Sequence, residues 1–304
     1  MTRILLLLVC LVATRTYGQT LTDGLLMPDK NICTGFVYSV DTWKNYWEGS
    51  LKRDNQNIGT ITTQRVTWMA AYGIGSKVNI IAMLPYVTTN ASGGTLHGQQ
   101  VIQDLTLGAK YHWLEKKSDA GTFRAFVTGT FSTPATRYTP DFFPLSLGFG
   151  STNLAGRVTL NYLMPMGLYA NLSGALTHRS NVTLDRPSYY TNNTFYETNQ
   201  VWMPATFDGQ LDIGYHKQAL QVQVSYKQLN TLGGGDIRRQ DMPFVSNQMN
   251  ASVLEAMVMY YVPKPKGLAV RASSSYVLAG RNVGQATSLM AGLMYTIDFG
   301  KPTE

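Results

Sequence analysis

Between residues 33 and 299 one pattern recurs about twelve times: stretches of about ten residues in which apolar and polar side chains alternate. In the clearest, Leu105, Leu107, Ala109, Tyr111 and Trp113 face one way, and Asp104, Thr106, Gly108, Lys110 and His112 the other. Leu220, Val222, Val224 and Tyr226 interleave with Gln221, Gln223, Ser225 and Lys227 in the same manner. A period of two places alternate side chains on opposite faces of a strand, and helical spacing accounts for none of these runs. The pattern predicts strands at 33–43, 59–72, 78–87, 104–114, 122–133, 150–163, 168–179, 206–216, 219–230, 250–262, 268–279 and 286–299. The connections fall into two alternating kinds. Five are compact, at 73–77, 115–121, 164–167, 217–218 and 263–267. Six point the other way and are mostly long and polar: 44–58, 88–103, 134–149, 180–205, 231–249 and the short 280–285. An all-β transmembrane outer-membrane barrel of about twelve antiparallel strands, with both termini in the periplasm, requires that arithmetic.

A soluble sandwich or lipocalin-like barrel would also alternate, with its apolar face inward. Against it stand the strand length, which suits a tilted membrane crossing, and aromatics beside the compact turns: Tyr72, Tyr111, Trp113, Tyr162, Tyr215, Tyr260 and Tyr295. The final strand carries apolar or small residues at alternate positions up to Phe299, as an outer-membrane assembly signal does. Charged residues are 14% of the chain, against roughly 25% in a soluble domain. The net charge of +7 is spread along the strands, with no basic cluster beyond Glu115-Lys116-Lys117 and Arg238-Arg239, so nucleic acid is not an expected partner.

The N-terminus has the three parts of a secretory signal: Thr2-Arg3, the apolar run Ile4 to Val12, and small residues Thr16 and Gly18 before Gln19. Val9 does not suit a lipoprotein signal at Cys10, and cleavage would leave Cys33 as the one mature cysteine. The expected division is a signal peptide (1–18), a short periplasmic segment (19–32), the barrel (33–299) and a tail (300–304), in the outer membrane of a Gram-negative bacterium. The expected surroundings are the lipid bilayer, lipopolysaccharide and the barrel-assembly machinery.

Thr67 to Val87 includes Tyr72-Gly73-Ile74-Gly75 and Leu84-Pro85-Tyr86-Val87, and Asp104-Leu105-Thr106-Leu107-Gly108-Ala109-Lys110-Tyr111 follows. Over about 60–115 this resembles the outer-membrane transporter-like family associated with the meta-pathway of phenol degradation. Gln103 stands where that family's pattern has glycine. The family is similar to hydrophobic-substrate channels typified by long-chain fatty-acid transporters, which carry an N-terminal hatch in the lumen. The stretch 19–32 is too short for a comparable hatch, and the chain runs five residues past Phe299.

Strand parity assigns Arg65, Lys110, His112, Arg124, Arg157, Lys227 and Arg271 to the lumen, with Asp41, Asp104, Asp208, Asp212, Glu255 and Asp298. The plain reading is ion pairing across a small barrel; the functional one is a polar constriction. Met69, Met83, Met257, Met259, Met290 and Met294 share the lumen parity, on strands that become neighbours if the last closes on the first. Methionines suit varied apolar ligands, and equally well fill gaps. His178 and Ser180 form a His-x-Ser-Asn sequence with Asn181, a form seen in outer-membrane lipid hydrolases. Their parity with Leu172 and Leu176 faces lipid, and neighbouring strands offer no orienting acid. The four histidines show no metal spacing, and no cofactor is expected. Gly233-Gly234-Gly235 has no following helix to make a phosphate cradle. The expected function is a non-enzymatic channel for passive movement of small hydrophobic or aromatic molecules. The alternatives are an outer-leaflet lipid hydrolase, or a barrel whose loops bind a partner or surface polymer.

Overall fold

A computed structural model describes residues 20–238 and 243–300. The expected signal peptide and cleavage site, Cys10 and the tail beyond Gly300 lie outside the described residues. Twelve antiparallel strands close into a barrel. They are β1 (Asn31–Trp43), β2 (Ile61–Ile74), β3 (Val78–Ala91), β4 (Asp104–Ser118), β5 (Gly121–Pro134), β6 (Asn153–Leu163), β7 (Leu168–Arg179), β8 (Thr206–Lys217), β9 (Leu220–Thr231), β10 (Asn250–Tyr261), β11 (Leu268–Arg281) and β12 (Thr287–Asp298). Each pairs with the next in sequence, and β12 pairs with β1 from Asn31↔Asp298 to Thr42↔Thr287, so no edge of the cylinder is left open.

The alternation fixes what each face meets. Phe36, Trp68, Leu172, Leu176, Ile213 and Leu293 all project outward and are exposed, while Lys110, Asn79, Thr159, Asn171 and Ser225 are buried on the inner face. An apolar belt of this extent on a protein in water would drive association; around a barrel with a polar interior it is the surface a bilayer covers. The soluble-barrel alternative fails on this inversion. Tyr72, Tyr111, Trp113, Tyr260 and Tyr295 are exposed at the ends next to the compact turns.

Two irregularities change details of the sequence reading. In β4 the register shifts between His112 and Leu114, so Trp113 is an extra residue and both it and Leu114 are exposed. Beyond that bulge 115–118 continues as strand, pairing with 121–124, where a compact turn was expected. The Glu115–Arg124 pair (2.9 Å) and the Glu115–Lys117 pair (3.0 Å) hold this extension. A second shift, between β10 and β11 at Ser252/Val253, lies before Met257 and leaves Met257 and Met259 buried inside.

The long connections are structured rather than featureless. Asn45–Glu48 pairs with Leu51–Asp54, Gln99–Ile102 adds to the outer end of β3, and Tyr189–Thr191 pairs with Thr194–Tyr196. Val182, Leu184, Tyr189, Val201, Met203, Phe244 and Val245 make a small apolar core among these loops, with Phe143 and Phe149 against it. Arg186–Asp141 (2.5 Å) ties one loop to another, and Arg281–Asp236 (2.6 Å) ties a loop to the outer end of β11. Hydrogen bonds from Arg281 hold the Asp236 carboxyl below its ordinary range. That tie is therefore present above the ordinary carboxylate range and is lost as pH falls through the depressed value.

Asn282 sits in the shortest outer loop with a left-handed φ of 53°. Its Oδ1 accepts from the Gly49 and Ile237 amides, and its Nδ2 donates to Asp236 Oδ1 and the Gln248 carbonyl, so one side chain joins three loops. With four bonds at about 1 kcal/mol each, Asn282→Ala should weaken loop closure by about 3 kcal/mol or more. Limited proteolysis should then cleave faster within 232–249 while the barrel stays intact; an unchanged cleavage rate would refute this role.

Candidate functional site

The lumen does not stand empty beneath these loops. The segment expected to lie in the periplasm instead runs inside the barrel from Thr20, and it is held at both ends. Asp23 folds the segment on itself: its carboxylate accepts from the Thr20 amide, from Thr20 Oγ1 (3.0 Å) and from the Leu25 amide (3.1 Å). The same carboxylate meets Lys110 Nζ at 2.8 Å, and the ammonium also donates to the Thr20 (3.3 Å) and Asp23 carbonyls. Lys110 is fully buried and lies 5.1 Å from the centre of the Phe126 ring. At the other end Lys30 N donates to the Gly73 carbonyl (3.0 Å), and the Gly75 amide donates to Asp29 Oδ1 (2.6 Å).

Two glycines make room for the segment. A Cβ on Gly73 would lie 2.0 Å from the Pro28 carbonyl oxygen, and one on Gly108 would lie 2.6 Å from the Leu21 side chain. Gly73, Gly108 and Lys110 belong to the stretches that carry the family resemblance, and all three seat residues 20–30.

The six methionines placed in the lumen by parity come together. Met69, Met257, Met259 and Met294 are buried in one apolar cluster with Val37, Ile81 and the segment's own Met27, and Met83, Met290 and Leu21 pack against it. The closure of β12 on β1 is what makes β10, β12, β2 and β3 one continuous wall. The charged residues keep mostly to partners. Arg65 meets Asp41 (3.4 Å), Arg124 meets Glu115, Arg157 meets Asp208 and Ser173 Oγ (3.0 Å), and Lys227 meets Glu255 (2.7 Å). Asp104 accepts from Tyr138 Oη (2.6 Å), whose hydroxyl, in the loop, is pushed above its usual range by burial. Asp298 lies at the rim and accepts from Asn31 Nδ2 (3.3 Å). Arg271 is the exception: its ion pair with Glu255 is 4.0 Å long. Between the segment and the wall from β8 round to β2 lies a cavity, lined by Thr20, Asp23, Lys227, Arg271, Met257 and Met294 among others.

Parity placed these lumen residues but gave no hint of Asp23, Leu21 or Met27 as their neighbours. The one usable signal was Lys110 itself: a lysine in the middle of a strand needs a carboxylate, and neighbouring strands supply none.

His178 faces outward and is exposed, in line with Leu172 and Leu176. Ser180 Oγ accepts from the Thr152 amide (2.9 Å) and donates to the Asn181 carbonyl (3.1 Å), so no hydrogen bond joins it to His178. Among the described residues no three His, Cys, Asp or Glu side chains converge as metal ligands.

Strand number, closure, inverted faces and structured outer loops define an outer-membrane β-barrel with a porin-like channel fold. Among solved structures the chain is similar to an outer membrane channel from Pseudomonas putida F1, with 13% identity, a TM-score of 0.71, and 90% of this chain and 97% of that one covered. It also aligns with the translocator domain of an autotransporter from Neisseria meningitidis (12% identity, TM-score 0.47, 88% and 89% covered). No family model and no curated protein sequence matches it. At such identities the likeness is one of fold.

Proposed function

We propose that this protein is a passive outer-membrane channel for small hydrophobic or aromatic molecules, held shut in the present structure by its own N-terminal segment. The observation that carries the reading is the methionine wall: a continuous apolar, polarisable surface inside a barrel whose lumen is otherwise polar. Water-filled pores line their path with polar groups throughout; a path with one greasy side lowers the cost of desolvating an apolar solute. The exposed alternation Leu293, Tyr295 and Ile297 in β12, continued by Phe299 just after it, supports delivery by the barrel-assembly machinery into a membrane with lipopolysaccharide outside.

Intact Gram-negative cells producing the protein should take up a hydrophobic fluorescent dye, normally excluded by the lipopolysaccharide leaflet, several-fold faster than cells without it. Met257→Asp together with Met294→Asp should abolish the gain, provided the variant remains heat-modifiable on gels. Uptake equal to that of control cells would overturn the reading.

Hydrolysis is disfavoured by the site. Ser180 is engaged with backbone groups, and among the described residues none is hydrogen-bonded to His178 to orient it. Purified protein incubated with phospholipid or lipid A should release no fatty acid; release that is lost in Ser180→Ala would establish the hydrolase instead.

A further inference from the structure

We infer that the lumen contains a binding site for a small carboxylate anion with an apolar body, in which Arg271 takes the carboxylate and Met257, Met259 and Met294 take the body. The inference rests on the channel reading and narrows its substrate class.

Arg271 stands on β11 between the methionines of β10 and of β12, opposite Met259 in one register and Gly292 in the other. It lines the cavity beside the N-terminal segment, with its side chain 20% exposed. Among the described residues it makes no hydrogen bond, and its Nε is buried without a partner. The only carboxylate of the described residues within ion-pair range is Glu255, at 4.0 Å, and Glu255 is already taken by Lys227 at 2.7 Å. The other two carboxylates lining the cavity are also engaged. Asp23 is bound by Lys110, and Asp212 accepts from Asn171 Nδ2 (3.2 Å) and Gln210 Nε2 (2.7 Å). Among the described residues the guanidinium is therefore the one charged group of the cavity whose bonding capacity is largely unspent.

A guanidinium largely withdrawn from water, with its Nε unpartnered and one distant carboxylate, is costly. Its planar fork matches a carboxylate or a phosphate. The surroundings choose between these two: a phosphate needs further donors on its remaining oxygens, whereas Met259 and Met294 stand on the strands either side of Arg271, and the cavity's other donors, Gln210, Gln221, Gln223 and Lys227, already donate to Asp212, Tyr169, Ser225 and Glu255. A monoanion whose carboxylate is small and whose remainder is apolar satisfies both halves of the site. Thr22 lines the same cavity and supplies a hydroxyl at its edge, whereas the Thr20 hydroxyl is already donated to Asp23.

Titration calorimetry on the detergent-solubilised, folded protein tests this with benzoate, its neutral counterpart benzyl alcohol, and inorganic phosphate. Benzoate should bind, with both other probes weaker by about tenfold or more. Arg271→Gln should weaken benzoate by about the same factor and leave benzyl alcohol unchanged, while Arg271→Lys should recover part of the loss. Equal binding of benzoate and benzyl alcohol, which needs no variant to measure, would overturn the site. So would preference for phosphate, or benzoate binding indifferent to Arg271→Gln. Dye uptake by cells without benzoate binding would sink this inference and spare the channel; benzoate binding without dye uptake would do the reverse.

Discussion

Asp23→Ala should release the N-terminal segment from the lumen, at a cost to the closed state of about 3–5 kcal/mol, the usual penalty for removing one partner of a buried pair. Lys110 is fully buried, and its hydrogen-bond acceptors, the Asp23 carboxylate and the Thr20 and Asp23 carbonyls, all come from the segment. Without the carboxylate the ammonium is left against the Phe126 ring with two carbonyls. The barrel can relieve that strain without unfolding, since the segment can leave and water can hydrate Lys110 in its place. Protease should thus remove residues near 20–28 from the variant while the strands resist. Lys110→Met alone leaves Asp23 with its local bonds to Thr20 and Leu25, and should be milder. The double variant should be less damaging than the sum of the two, with a coupling of about 2 kcal/mol or more in a double-mutant cycle. Additive effects would show that the pair does not anchor the segment.

The barrel was legible in the sequence because its cause is local: every second side chain must suit lipid, and this stamps twelve strands with one period. Parity likewise placed Met257 and Met294 on one inner face, and closure of β12 on β1 then joined them. What escaped has no period. The segment 20–30 has no alternation to read, and its anchor, Asp23 to Lys110, joins positions 87 residues apart. The bulge at Trp113 escaped because an extra aromatic at a strand end looks the same whether or not the ladder slips. Asn282 escaped because its work lies in holding three loops that only the closed barrel brings together. The shortness of 19–32 argued against a hatch, yet few residues suffice when the lumen of a small barrel is already narrowed by its own side chains.

Deletion of residues 20–26, which retains Met27 in the apolar cluster and Pro28 through Lys30 at the lower rim, should convert the protein into a constitutively open pore. The segment contributes Thr20, Thr22 and Asp23 to one side of the cavity, and Leu21 to the apolar cluster on the other. Its loss removes that inner wall while leaving all twelve strands and their ladders in place. It also leaves Lys110 hydrated rather than buried, which suits a charge lining a water-filled lumen and adds a positive site to the path. In planar bilayers the truncated protein should conduct at least about tenfold more than the untruncated protein, with a tilt toward anions that Lys110→Met removes. Dye uptake by cells should rise as well, because the methionine wall becomes accessible along its length. If the outer loops, packed around Val182, Tyr189 and Phe244, were the true barrier, truncation would leave conductance at its original level. Loosening those loops through Asn282→Ala would then be the change that opened the pore. The two variants measured side by side therefore locate the closure, and a truncated protein no more conductive than the full-length one would refute a segment-based gate.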